Sequence, residues 1–201
     1  MKHEYFITGD SSPNLFEKDY FEGRTSCYTG GYRDDKPYFD FLTKKILAKR
    51  PSSVLEIGCA YGFIMKRLLS RGIFAVGIDI SEWATNEGIS PNLIQASAIH
   101  LPFKDKTFDL CFSHDVLDHI HIASLGQVTE EVTRVSHRAY HIISCKSYEN
   151  DRDITHKTMM PINWWRERLP SSFTIEEKDT KTAVDHLRWI SQRILFKLGR
   201  K

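Results

Sequence analysis

Two rhythms of apolar residues alternate along this chain. Short, nearly solid apolar runs occupy residues 53–57 (SVLEI), 73–80 (IFAVGIDI), 93–96, 108–113 (FDLCFS) and 139–144 (AYHIIS). Runs of that length, rich in Ile, Val and Phe and without polar alternation, read as strands buried on both faces. Between them lie stretches with apolar residues at helical spacing. Residues 39–48 (FDFLTKKILA) form one, followed by Lys49, Arg50 and Pro51 as a stop. Residues 61–71 form another, with Phe63, Ile64, Leu68 and Leu69 inward and Gly72 where a C-terminal glycine belongs. A short helix is expected over 81–87 with Ser81 as N-cap, and a longer one over 125–136. Pro161 suits the first turn of a helix reaching 169, residues 173–177 (FTIEE) give a sixth strand, and 182–198 a final helix. Strand and helix alternate over 53–144, which implies parallel strands joined by right-handed crossovers. The expectation is an α/β, doubly wound, mostly parallel sheet with helices on both faces.

Residues 1–41 differ from the rest. Ten of the 24 aromatics fall within residues 1–41, among them Tyr20, Phe21, Tyr28, Tyr32, Tyr38 and Phe39, interleaved with Gly23, Gly30 and Gly31. Aromatics at that density pack on something, either as an arm over a sheet edge or as a lid over a site, and one segment can do both. The division expected is an arm or lid with the first helix over 1–50 and the main body over 51–201, in one structural domain of 201 residues.

Composition narrows the function. A hydrophobic fraction of 41% with 27% charged residues is that of a soluble globular chain, and the formal charge of +2 lacks the basic excess of a dedicated nucleic-acid or membrane-surface binder. No apolar run approaches the ~18 residues of a membrane span, and the N-terminus has no signal-peptide core, so a cytoplasmic location is expected. Cys27, Cys59, Cys111 and Cys145 are widely spaced without a CxxC pair and read as reduced thiols.

The chemistry concentrates in Val54-Leu55-Glu56-Ile57-Gly58-Cys59-Ala60-Tyr61-Gly62, a strand, a turn of small residues and a helix start. Gly58, Ala60 and Gly62 allow a ligand to approach the backbone. A dinucleotide fingerprint needs its third glycine one place later, where Phe63 stands, so the spacing favours a nucleoside ligand without a pyrophosphate. Asp79 closes the second strand, 21 residues after Gly58. There it can hold both ribose hydroxyls; its plain structural role would be to cap the following helix.

VLEIGCAYG, GIDIS, ASAIHLPF and FDLCFSHDVLDHI, in that order over residues 52–145, resemble the successive motifs of class I S-adenosylmethionine-dependent methyltransferases of the small-molecule, type 11-like branch, with their Rossmann-like fold. Asp153-Ile154-Thr155-His156 followed by Trp164-Trp165 extends the similarity. The resemblance implies that Glu56 organises the site around the methionine amino group. Gly58, Ala60, Tyr61 and Gly62 would line the cofactor turn, Asp79 would hold the ribose and Ile80 would lie against the adenine face. Ser97 and Ala98 would meet the adenine edge, and His114 would lie near the sulfonium. Ala60 in place of the usual glycine is a small departure from the family pattern, and three others are larger. Ser97 replaces an aspartate, His137-Arg138 replaces a Lys-Pro-Gly-Gly turn, and no seventh, antiparallel strand is legible after residue 177.

The resemblance thus implies S-adenosylmethionine as cofactor and methyl transfer to an O or N atom of a small molecule, a sugar or secondary metabolite being the branch's usual acceptor. Two alternatives stand beside it: a protein or RNA methyltransferase, and a partner protein that keeps the fold with weak or no activity. If a general base is needed, His114 and His156 are the candidates, with Asp115, Asp118, His119 and His121 nearby. Asp118 and His119 are equally suited to capping or core hydrogen bonding. Zinc held by His114, His119 and His121 is conceivable by spacing, but no metal is expected. The 182–198 helix has Leu187, Ile190, Ile194 and Leu198 on one side and Arg188, Arg193 and Lys197 elsewhere, with Arg200 and Lys201 just after it, which suits packing on the domain more than contact with a membrane or RNA.

Overall fold

A computed structural model describes residues 13–26, 28, 30–145 and 153–178 of the chain. Their centre is a six-stranded sheet in the order β3-β2-β1-β4-β5-β6. The strands are β1 (Ser53–Ile57), β2 (Phe74–Asp79), β3 (Leu93–Gln95), β4 (Phe108–His114), β5 (Ser136–Ile143) and β6 (Phe173–Glu177). Every pairing is parallel, including that of β6 directly with β5, from Ala139 opposite Phe173 to Ile143 opposite Glu177. The chain winds outward from β1 to β3, then crosses back to β4 and winds the other way. This is the doubly wound, Rossmann-like arrangement, and its direction reverses between β1 and β4. Crevices that bind ligands in such sheets lie at the C-terminal ends of the strands at that reversal.

Helices cover both faces. Counting from the N-terminus they are α1 (Lys18–Phe21), α2 (Lys36–Ala48), α3 (Phe63–Leu69), α4 (Glu82–Asn86), α5 (Leu125–Val135) and α6 (Ile162–Arg168). On one face Phe39, Leu42 and Ile46 of α2 and Ile64, Met65 and Leu68 of α3 pack with Val54, Leu110, Phe112 and Tyr140. On the other, Val128, Val132 and Val135 of α5 and Trp165 of α6 close over Leu55, Ile57, Val76, Ile78 and Cys111. Adjacent residues of one strand thus serve opposite cores, which is why the strands read as solid apolar runs.

Local chemistry sets the boundaries. Helix α2 starts three residues before the apolar stripe does, because Asp35 accepts a hydrogen bond from Tyr38 N (3.3 Å) and Pro37 sits in the first turn. Helix α3 starts at Phe63 rather than at 61. Gly58, Ala60 and Gly62 all have left-handed φ (69°, 47° and 76°), so the chain cannot turn helical earlier. Strand β5 begins at Ser136, three residues ahead of its apolar run, with Ser136 opposite Phe108 and Arg138 opposite Leu110. Its start is polar because Arg138 makes a forked pair with Asp109 of β4 at 3.0–3.1 Å. Ser81 caps α4 as expected, accepting from Ala84 N at 3.0 Å. The 182–198 helix, the region after β6 and Cys27 lie outside the described residues.

The N-terminal segment is ordered by aromatic packing. Phe16, Tyr20 and Phe21 bury themselves with Ala60 and Ala84, with Tyr28, Tyr32, Tyr61, Ile80 and Trp83 around them. Arg67 of α3 ties this region down. Its guanidinium donates to Asp34 (2.7 Å), Asp40 (2.8 Å) and the Phe63 carbonyl (2.9 Å) while only 10% of the side chain is exposed.

Candidate functional site

The end of β1 is held by its neighbours in register. Glu56 stands opposite Gly77 of β2 and Phe112 of β4. The chain then turns over the end of β2, Gly58 N and Cys59 N both donating to Ile78 O at 2.8 and 3.0 Å. Space here is tight. A Cβ on Gly58 would come within 2.3 Å of Val116 Cγ2, and one on Gly77 within 2.7 Å of the Cys59 side chain. Phe63, at the place of a third fingerprint glycine, is buried in the core on the α2/α3 face and packs with Tyr32, Phe39 and Tyr61.

Asp79, buried at the end of β2, braces this turn. Its Oδ2 accepts from Ala60 N at 2.8 Å and its Oδ1 from Ser81 N at 2.9 Å. The capping role and a ligand role are compatible, since each carboxylate oxygen has a second lone pair. Burial raises the Asp79 pKa, and the bonds from Ser81 and Ala60 oppose the rise. Glu56 is buried more severely. Its Oε2 has no hydrogen-bond partner among the described residues, and desolvation followed by repulsion from Asp79 pushes its pKa well above the usual value. A buried acceptor left without a donor is costly unless a ligand supplies one. A cationic amino group at this spot would satisfy Glu56 and draw it back to the ionised form.

Tyr61 and Ile80 lie against the aromatic arm, with Phe21 and Tyr61 rings 5.1 Å apart. Ser97 and Ala98 are half-buried in the loop after β3, where Ser97 Oγ accepts from Ile99 N at 3.4 Å. His114 ends β4, 2.6 Å from the Tyr38 hydroxyl through its Nε2. Burial lowers the His114 pKa to about 4, so the ring is neutral at ordinary pH. Asp115 follows with a left-handed φ of 50° and pairs with Lys178 just beyond β6.

His156 is not beside His114. It belongs to a second cluster with Asp118 and His119, in which the His119 and His156 rings are 4.6 Å apart. The trio weighed from spacing does not assemble either: His121 is exposed and accepts from Ala123 N at 3.2 Å. Sequence reasoning assigned no role to Tyr38, Thr155, Asp153 or Lys178. Tyr38 could have been found from its helical position facing the sheet, whereas the others come from segments whose placement no local pattern encodes.

Residues 55–142 match the family model described as a methyltransferase domain. An uncharacterized protein of Methanocaldococcus jannaschii is 35% identical over 89 residues, covering 43% of this chain and 39% of that one. A sterol 4-C-methyltransferase of Caenorhabditis elegans is 28% identical over 133 residues, covering 59% of this chain and 39% of the other. The chain therefore spans less than half the length of these curated relatives. Among solved structures, a SAM-dependent methyltransferase from Archaeoglobus fulgidus superposes with a TM-score of 0.51 at 20% identity, over 64% of this chain and 66% of that one. The YcgJ protein of Bacillus subtilis gives 0.52 at 16% identity, over 64% of each chain. At those identities the likeness is one of fold.

Proposed function

We propose, on the premise that residues 55–142 form a class I, type 11-like methyltransferase domain, that this chain binds S-adenosylmethionine and methylates an O or N atom of a small molecule. The observation that carries the cofactor reading is the Oε2 of Glu56, without a partner among the described residues and buried beside a turn of left-handed residues at the sheet's reversal point. An amino-acid ammonium is the group such an oxygen lacks. When bound, S-adenosylmethionine supplies a methyl group already attached to a good leaving group, so the protein's task is alignment and exclusion of water.

Each residue has a part in that task. Glu56 receives the ammonium, and the turn at Gly58, Ala60 and Gly62 admits close approach of the ligand. Asp79 holds the turn through Ala60 and offers its remaining lone pairs to the ribose. Ile80 and Tyr61 bound the base, with Ser97 and Ala98 at its edge. The aromatic arm around Phe16, Tyr20 and Phe21 packs against Ala60, Tyr61 and Ile80, closing this end of the crevice. A site roofed by rings suits a small acceptor better than a folded one. Neutral His114, steadied by Tyr38, is the group able to accept a proton from an acceptor hydroxyl or amine.

Calorimetric titration with S-adenosylmethionine and with S-adenosylhomocysteine tests the reading. One site per chain, lost or weakened in Asp79→Ala, is the expected result. Absence of binding to the wild-type protein overturns it and favours the inactive-partner alternative.

A further inference from the structure

We propose that Asp118, His119 and His156 form a binding site for one divalent transition-metal cation, with Zn2+ the best chemical match. The inference does not depend on the methyl-transfer reading, because it concerns side chains assigned no part in holding the cofactor.

The fold brings these residues together with care. Asp118 and His119 lie in a short 3-10 turn, Leu117–His119, just after β4. Residues 153–160 return to that turn from 35 residues further along. The Asp118 carbonyl accepts from both Lys157 N and Thr158 N at 2.9 Å, and Thr158 Oγ1 donates to Ile120 O at 2.7 Å. Backbone bonds therefore fix His156 opposite Asp118.

The spacing within the cluster is that of ligands around an ion rather than of hydrogen bonds. Asp118 Oδ2 is 3.6 Å from His119 Nε2 and 3.5 Å from His156 Nε2, and the three donor atoms lie within 4.8 Å of one another. Hydrogen bonds between N and O cluster near ~2.9 Å. Two ligand atoms, each ~2.0–2.2 Å from a tetrahedral zinc, stand about 3.4 Å apart.

Protonation points the same way. Thr155 has one hydroxyl proton, and its Oγ1 lies 2.5 Å from Asp153 Oδ1, an acceptor that also takes Thr155 N at 3.0 Å. With that proton given to Asp153, Thr155 Oγ1 accepts from His119 Nδ1 at 2.8 Å. On that assignment Nδ1 of His119 faces Thr155, and Nε2 is the ring nitrogen on the Asp118 side, 3.6 Å from Oδ2. Carboxylate–hydroxyl–imidazole support of this kind is how outer groups orient a metal-bound histidine. Tyr20 extends it, its hydroxyl donating to Asp153 Oδ2 at 3.2 Å.

Asp118 supplies the independent observation. Its side chain is completely buried, and neither Oδ1 nor Oδ2 has a hydrogen-bond partner among the described residues. A cation shared with two imidazoles would give this buried carboxylate the partner it lacks. Two imidazoles and one carboxylate leave a coordination position open, as catalytic rather than structural zinc sites do.

The test uses the untagged full chain, dialysed against a chelator and titrated with Zn2+ in competition with a chromophoric indicator. Co2+ serves as a spectroscopic probe. The expected result is one equivalent of Zn2+ and visible Co2+ d–d bands of a low-coordinate N/O site. His156→Ala should abolish stoichiometric binding while circular dichroism stays native. Thr155→Val, which removes only the orienting hydroxyl, should weaken binding about 10–100-fold. Exposed His121→Ala should leave it intact. No bound metal in the wild type, or binding that His156→Ala leaves unchanged, overturns the proposal. Because His156 is half-buried and outside the sheet, that variant decides the matter even if Asp118→Asn fails to fold.

Discussion

The Tyr38 hydroxyl on α2 stands 2.6 Å from Nε2 of His114 at the end of β4, so the helix preceding the sheet and the strand at its reversal meet through one hydrogen bond. Tyr38 is half-buried, and desolvation raises its pKa, which keeps the phenol protonated. If His114 receives the acceptor's proton, His114→Gln should lower kcat by about 10²–10⁴-fold. Tyr38→Phe should have a smaller effect, and neither should change cofactor affinity much. Steady-state kinetics with any acceptor the wild-type protein turns over, beside calorimetry, separate the two constants.

Asp79 has two jobs, and one substitution should expose both. Asp79→Ala removes a ribose acceptor and the brace on Ala60 N and Ser81 N. Affinity for S-adenosylmethionine should fall at least tenfold. Thermal unfolding without ligand should also shift, by roughly 1–3 kcal/mol for the backbone donors left unsatisfied. A fall in affinity with unaltered unfolding would assign Asp79 to the ligand alone.

Gly58 gives a steric test. An alanine there would carry its Cβ to 2.3 Å from Val116 Cγ2 at a φ of 69°. Gly58→Ala should destabilise the protein by about 1–3 kcal/mol. Adding Val116→Ala should recover the clash but not the backbone strain. A double-mutant cycle read by urea unfolding should therefore show positive coupling. Strict additivity would mean the two segments do not touch.

His141 makes stability depend on pH. It is buried in β5, its Nδ1 2.7 Å from Ser113 Oγ, and desolvation lowers its pKa to about 4. The unfolded chain, with a pKa near 6.5, binds the proton first. Between about pH 6.5 and 4 the unfolded state therefore holds more protons, and stability falls as acid is added. Replacing His141 by Gln should remove one proton from that slope. Urea midpoints of both proteins across the window measure it, and parallel curves would count against the burial of this ring.

Much of this architecture was legible in the sequence because parallel strands buried on both faces leave unbroken apolar runs, as at 53–57 and 108–113. The turn after β1 was legible too, since Gly58, Ala60 and Gly62 are small where a left-handed backbone demands it. What escaped had physical reasons. The start of β5 was hidden because Ser136, His137 and Arg138 are polar, and Arg138 is there to pair with Asp109. The 3-10 turns Leu117–His119 and Ile122–Ser124 are too short to show a period. The cluster of Asp118, His119 and His156 escaped because nearness in sequence brings together only His114, His119 and His121, whereas His156 arrives through backbone bonds to the Asp118 carbonyl. Long-range hydrogen bonds of that sort leave no local signature.

The grip of Asp79 on Ala60 N and Ser81 N reaches beyond local stability. A loop already clamped at both flanks has surrendered its conformational freedom before any visitor arrives. Association at this crevice then carries little ordering entropy of the backbone. Selectivity falls to rigid shape rather than to adaptive closure at the turn, and any induced rearrangement on binding is left to the aromatic arm.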